Sequence, residues 1–163
     1  MLHNEFAGQN CSAARALEVV GERWTLLIVR DLLHGPRRFA DLEQSLAIAK
    51  NVLVARLEKL QSVGVIEAVP YDQARGWKRY QLTRMGTDLL PVISALMAWG
   101  DTYFAPEGPP LLYEHACGHI ASPQVVCERC GEAVRYGTVR SVPGPGAEDV
   151  TAAEHSSTTT PSR

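Results

Sequence analysis

The chain has 163 residues, enough for one ordinary domain with additions, and its 45% hydrophobic content suffices for a core. No apolar run reaches membrane-spanning length, and Met1-Leu2-His3-Asn4-Glu5 lacks the basic and apolar regions of a secretory leader, so a cytoplasmic protein without membrane contact is expected. A net charge of −2 speaks against indiscriminate nucleic-acid binding, but residues 34–86 carry nine Lys/Arg against five Asp/Glu, whereas residues 107–163 carry four against seven.

In chain order, a polar lead reaches Cys11-Ser12, and residues 13–33 then read as one or two helices. Ala16, Val19, Val20, Trp24, Leu27, Ile28 and Leu32 form their apolar positions, with Gly21 marking a joint. Gly35-Pro36 breaks the pattern, and Arg37-Arg38 follow. Phe39, Leu42 and Leu46 then recur at helical spacing, and Ala47-Ile48-Ala49 makes a tight turn. A second helix begins at Lys50, with Leu53, Leu57 and Leu60 on one face, and Gly64 stands where a left-handed cap is expected. Residues 65–69 and 77–82 read as two strands joined by a polar turn from Tyr71 to Gly76. Helix, tight turn and helix followed by a hairpin bearing Arg75, Lys78 and Arg79 predicts a winged helix-turn-helix, mainly α with a small β-hairpin wing.

Thr83 is placed to cap a long helix running to about Phe104, with Leu89, Leu90, Ile93, Leu96, Met97 and Trp99 as its apolar face. Pro91 either kinks that helix or sits near its first turns. Its apolar surface exceeds what the amino-terminal helices can cover. A homodimer is therefore expected, and two-fold symmetry matches a palindromic operator in double-stranded DNA.

A rotation of 100° per residue away from the Leu53/Leu57/Leu60 face puts Asn51, Ala55 and Glu58 opposite the core, with Val54 and Lys59 on the flanks. Asn51 suits adenine, and Val54 or Ala55 suits the thymine methyl group. Lys50, Arg56, Arg37 and Arg38 suit phosphates, which set register without reading sequence. Arg75, Lys78 and Arg79 of the wing would cross the backbone or enter a minor groove. Two alternatives stand beside these roles: Arg56 pairing with Asp41 or Glu43, and Arg38 lying partly buried beside Phe39.

Several ordered motifs carry a wider likeness. Cys11, Gly21-Glu22-Arg23-Trp24-Thr25-Leu26-Leu27-Ile28, Leu33-His34-Gly35-Pro36-Arg37-Arg38-Phe39-Ala40-Asp41-Leu42, Leu53-Val54-Ala55-Arg56-Leu57, Tyr80-Gln81-Leu82-Thr83 and Trp99-Gly100 together resemble the HxlR-type winged-helix regulators, relatives of the MarR group. The resemblance implies a dimeric bacterial transcription factor, a repressor rather than an activator, with both terminal helices at the dimer interface. It also implies that Cys11 senses oxidants, aldehydes or other electrophiles, for which a thiolate and access are needed. Arg15, one turn on, would favour the thiolate; the alternatives are a small buried hydrophobe at Cys11, or a small-molecule inducer held in a cavity between the dimer helices lined by Trp24, Trp99 and Phe104. The chain departs from the family at Ala49, where a serine-like cap is usual; losing such a cap costs ~1 kcal/mol.

Beyond the motif, His115-Ala116-Cys117-Gly118-His119 and Cys127-Glu128-Arg129-Cys130-Gly131 resemble half of a zinc ribbon, a short Cys/His β-hairpin. One structural zinc would take Cys127, Cys130, Cys117 and either His115 or His119. The alternatives are a metal-free hairpin with reduced cysteines and a disulfide, the latter disfavoured in a reducing compartment. The expected organisation is a DNA-binding domain with flanking dimerisation helices over 1–106, the Cys/His extension over 107–142, and a disordered tail over 143–163 with almost nothing apolar to bury. Phosphate-binding loops, G-x-S-x-G and paired catalytic carboxylates are absent from the sequence, so no enzyme is expected. The competing function is a protein-interaction module that uses the winged-helix faces and the hairpin for docking.

Overall fold

Apolar residues at helical spacing collapse onto one helix near the amino terminus. The computed structural model describes residue 6 and residues 8–147; the predicted disordered tail, from residue 148 onward, lies outside the described residues. Helix α1 spans Ser12–Val20 and ends where the Gly21 amide donates to the Leu17 carbonyl at 2.7 Å. A Cβ at Gly21 would stand 2.5 Å from that carbonyl oxygen, so the joint requires glycine. Helix α2, Thr25–Leu33, is the central one, burying Thr25, Ile28, Val29 and Leu32. Its buried Asp31 accepts hydrogen bonds from the Ser45 hydroxyl and the Arg30 guanidinium, which satisfies the charge and ties α2 to the next helix.

Two arginines come next as a strand, β1 (Arg37–Arg38), followed by α3 (Phe39–Leu46) and α4 (Lys50–Ser62). The turn between α3 and α4 passes through Ala47 at φ 48°, ψ 38°. That left-handed conformation costs an alanine about 1 kcal/mol, and the burial of Leu46 and Ile48 on either side offsets it. Leu53, Leu57 and Leu60 of α4 are buried as their spacing predicts, and Ala49 supplies no side-chain cap.

The chain then forms β2 (Ile66–Asp72) and β3 (Trp77–Leu82), antiparallel to each other, with strand order β1-β3-β2. Strand β1 was not anticipated; Arg37 lies opposite Tyr80 and Arg38 opposite Arg79. Two residues are too few for periodicity to reveal, and only β3 gives them a partner. Strand β2 outlasts its predicted end at Val69, passing through Pro70 where the register slips between Pro70 and Asp72. Being an edge strand, it tolerates a proline that cannot donate to a ladder.

The single helix expected after the wing is two. Thr83 caps α5 (Arg84–Thr87), accepting from the Gly86 amide at 3.3 Å and donating to the Gly64 carbonyl at 2.6 Å. Helix α6, Leu90–Phe104, starts afresh with Pro91 in its first turn, where the missing amide has no helical partner to lose. Only Ile93 of α6 is fully buried; Leu96, Trp99, Tyr103 and Phe104 are exposed by about half or more. After α6 the chain makes two narrow turns, each closed by a single bridge, Glu114 with Ile120 and Val126 with Ala133. Gly118 and Gly131 take φ of 81° and 74° in them.

Candidate nucleic-acid interface

Packing of α4 through Leu53, Leu57 and Leu60 turns the opposite side of that helix to solvent: Lys50, Asn51, Val54, Ala55 and Glu58 are all exposed. The amino-terminal turn thus combines a cation, an amide and two small apolar groups on an accessible surface. Those types complement a phosphate, an adenine edge and thymine methyls. Glu58 adds an acceptor suited to cytosine N4 and a repulsion for any phosphate that comes too near.

The wing is organised by aromatic rings that the sequence reading did not single out. The Arg75 guanidinium lies 4.7 Å from the Trp77 ring centre, and that of Arg79 lies 4.6 Å from the Tyr71 ring centre. Tyr71 and Trp77 are themselves 5.9 Å apart, so two rings hold two cations on one surface. The alternation of basic and aromatic residues from Arg75 to Arg79 was the available signal. Asp72 sits 3.7 Å from Arg75 and offsets its charge, whereas Lys78 and Arg79 have no carboxylate partner among the described residues.

Other candidates are engaged within the fold. Arg38 grips Asp41 at 2.7 Å through its guanidinium, and the same carboxylate accepts the Arg38 amide, so Asp41 takes up the donors at the start of α3. This guanidinium, with the amide, lowers the Asp41 carboxyl to about 2. Arg38 is not buried beside Phe39 but exposed, with Arg37 beside it. Arg56 pairs at 2.9 Å with Glu22, from the turn between α1 and α2, rather than with Asp41 or Glu43, and its side chain is only 18% exposed. Lys59 is half-buried in the last turn of α4.

Cys11 is exposed at the N-cap of α1. The nearby amides of Ala14 and Ala13 hold the thiol below its ordinary pKa, with Arg15 acting in the same direction. Within the single chain Trp24 packs on the core, while Trp99 and Phe104 lie on the outside with their rings tilted against each other, 5.0 Å between centres. In the second narrow turn the neighbouring amides of Cys130 and Arg129, then the Cys130 thiol, lower the pKa of Cys127. His115 accepts the Cys117 amide at 3.3 Å, and His119 lies 3.2 Å from the Cys117 carbonyl. Among the described residues no three His, Cys, Asp or Glu side chains gather closely enough to hold a metal ion, so these five do not form a metal centre in this arrangement.

An exposed second helix, a basic hairpin behind it and a helix closing the bundle define a winged-helix transcription regulator. Residues 19–108 match the HxlR-like helix-turn-helix family, and the chain belongs to it. That family consists of transcription regulators, not enzymes. An uncharacterised HTH-type transcriptional regulator of Mycobacterium tuberculosis is 46% identical over 147 residues, 89% of this chain and 92% of the relative. The crystal structure of PA1607 superposes with a TM-score of 0.75 at 34% identity, covering 85% of this chain and 99% of that one. The oxidised form of the redox regulator HypR matches only 56% of this chain, and 96% of its own, at 25% identity and a TM-score of 0.53. The first two likenesses continue past the family match into the segment after α6. Among the described residues no helix is long and apolar enough to cross a membrane.

Proposed function

We propose that this regulator acts in the cytoplasm as a homodimeric repressor, placing one α4 helix in each of two successive major grooves of a palindromic operator. The observation that carries the reading is the exposure of Asn51, Val54 and Ala55 on the outer face of α4, beside a wing whose Lys78 and Arg79 lack carboxylate partners among the described residues. Asn51, Val54 and Ala55 read bases, while Lys50, Arg37, Lys78 and Arg79 hold phosphates. Residues 1–106 do this work, and the stripe Val92, Leu96, Trp99 and Tyr103 on α6, exposed in the single chain, supplies the apolar surface for a second copy. Footprinting over the intergenic region upstream of the gene, with binding followed against ionic strength, tests it. A protected two-fold site and a steep loss of affinity with salt are expected; salt-insensitive capture of another protein would instead favour the docking module.

The signal in this reading is oxidation or alkylation of Cys11, supported by its exposure and by the amides that favour its thiolate. Replacing Cys11 with serine is expected to leave DNA binding intact and to abolish its release by hydrogen peroxide or a quinone. One structural zinc on Cys127, Cys130, Cys117 and either His115 or His119 is a separate proposal, supported by the C-x-x-C-G spacing of the second turn and the lowered pKa of Cys127; it requires the two turns to close on each other. Metal analysis of protein purified without chelator tests it.

A further inference from the structure

The face of α6 that points inward does not pack fully against α2. Between them, and roofed by the chain from Pro109 to Pro123, lies a half-open cavity of about 890 Å³. That volume is in the range of small-molecule sites, roughly 300–1,000 Å³. Its floor is Leu33 of α2 and the following His34 with Ile93, Met97 and Ala98 of α6, and its roof includes Leu111, Leu112 and Ile120. These three roof residues are 53–58% exposed, so the extension holds apolar side chains over the cavity without burying them in a core. An occupant would remove that surface from water.

The charges of the lining favour one sign. Arg30 is the only Lys or Arg in it, beside the two histidines His34 and His115, and Asp31 already grips that guanidinium at 2.7 Å. Asp101 and Glu114 also line the cavity and make no ion pair among the described residues. The rings of His34 and Tyr113 stack at 5.9 Å within the same wall, and an aromatic face attracts a cation. Apolar walls, unpaired carboxylates and stacked rings form one combination.

We infer that this cavity is a binding site for a lipophilic organic cation, an aromatic or bulky amine or onium compound, clamped between the segment after α6 and the α2/α6 face. Dimerisation leaves it available. On a helix turning 100° per residue, Ile93, Ser94, Met97 and Asp101 point about opposite to the exposed stripe Val92, Leu96, Trp99 and Tyr103. The site is also placed to bear on DNA. Helix α2 packs against α3, β3 and α6 together, so wedging α2 from α6 moves the reading head relative to the dimer helix. That coupling rests on the proposed function; the binding itself does not.

The test is calorimetry on the full chain, without DNA, using tetraphenylphosphonium and its isosteric anion tetraphenylborate. The cation is expected to bind at one site per chain and at least about tenfold more tightly than the anion. Asp101→Asn should weaken the cation by about two- to fivefold and leave the anion unchanged or improved. Ser94→Trp should fill the cavity and abolish binding, while Gln61→Ala, exposed on α4 and outside the lining, should not affect it; circular dichroism confirms that each variant folds. Tighter binding of tetraphenylborate, binding of neither ion, or binding that survives Ser94→Trp would overturn the assignment. A DNA titration with tetraphenylphosphonium then reads the coupling separately.

Discussion

If the wing lies on phosphates, removing its two cations without carboxylate partners changes how binding depends on salt, and the size of the change follows from counting charges. Lys78→Gln with Arg79→Gln deletes two positive groups per chain, both exposed. Each phosphate neutralised contributes about 0.9 to the slope of log affinity against log salt, so the slope falls by ~1.8 per chain and ~3.6 for a dimer. Between about 50 and 200 mM salt the double variant should therefore lose roughly a hundredfold less affinity than the parent. Arg75→Gln is the internal comparison, because Asp72 already offsets Arg75 and its removal should shift the slope less. Stability should move little, since the Arg79 contact with Tyr71 is worth about 0.5–1 kcal/mol at an exposed site. Fluorescence anisotropy on a labelled operator across a salt series gives the slopes. Equal slopes for the parent and the double variant would refute a phosphate-facing wing.

Further tests follow from other residues. Asn51→Ala should cost about 1–3 kcal/mol on the cognate operator and nothing on unrelated duplex, with an unchanged salt slope, measured by competitive anisotropy. Thr83→Ala removes both the α5 cap and the hydrogen bond to the Gly64 carbonyl, and urea denaturation should show a loss of about 2 kcal/mol. Because the Asp41 carboxyl falls from its ordinary 3.8 to about 2, the native state binds fewer protons than the unfolded chain across that interval. Its contribution is thus present above about pH 4 and lost as pH falls through about 2; Asp41→Asn should flatten that part of an acid-denaturation profile. Gly86→Ala would push a methyl group into the Val65 carbonyl and the Leu82 side chain and should unfold the protein at a lower temperature in a calorimetric scan.

Much of this molecule was legible before any coordinates. The Leu53/Leu57/Leu60 repeat, the glycine at position 64 and the alternating strands after it named the motif, because period and punctuation are local properties of the chain. The exposed side of α4 followed from the same rotation, since burying one face of a helix determines the opposite one. Other features depended on partners distant in sequence. Arg37-Arg38 became a strand only because β3 offered its free edge, and Arg56 found Glu22 because the α1–α2 turn folds back over α4. The break between α5 and α6 arose where Thr83 reached back to Gly64 instead of continuing one helix. The cavity under the segment from Pro109 to Pro123 has no signature in composition or spacing at all. Sequence alone determined which residues must turn inward, since hydrophobic periodicity is written along the chain; tertiary structure decided which charges meet and which spaces stay open, since those depend on residues brought together only by folding.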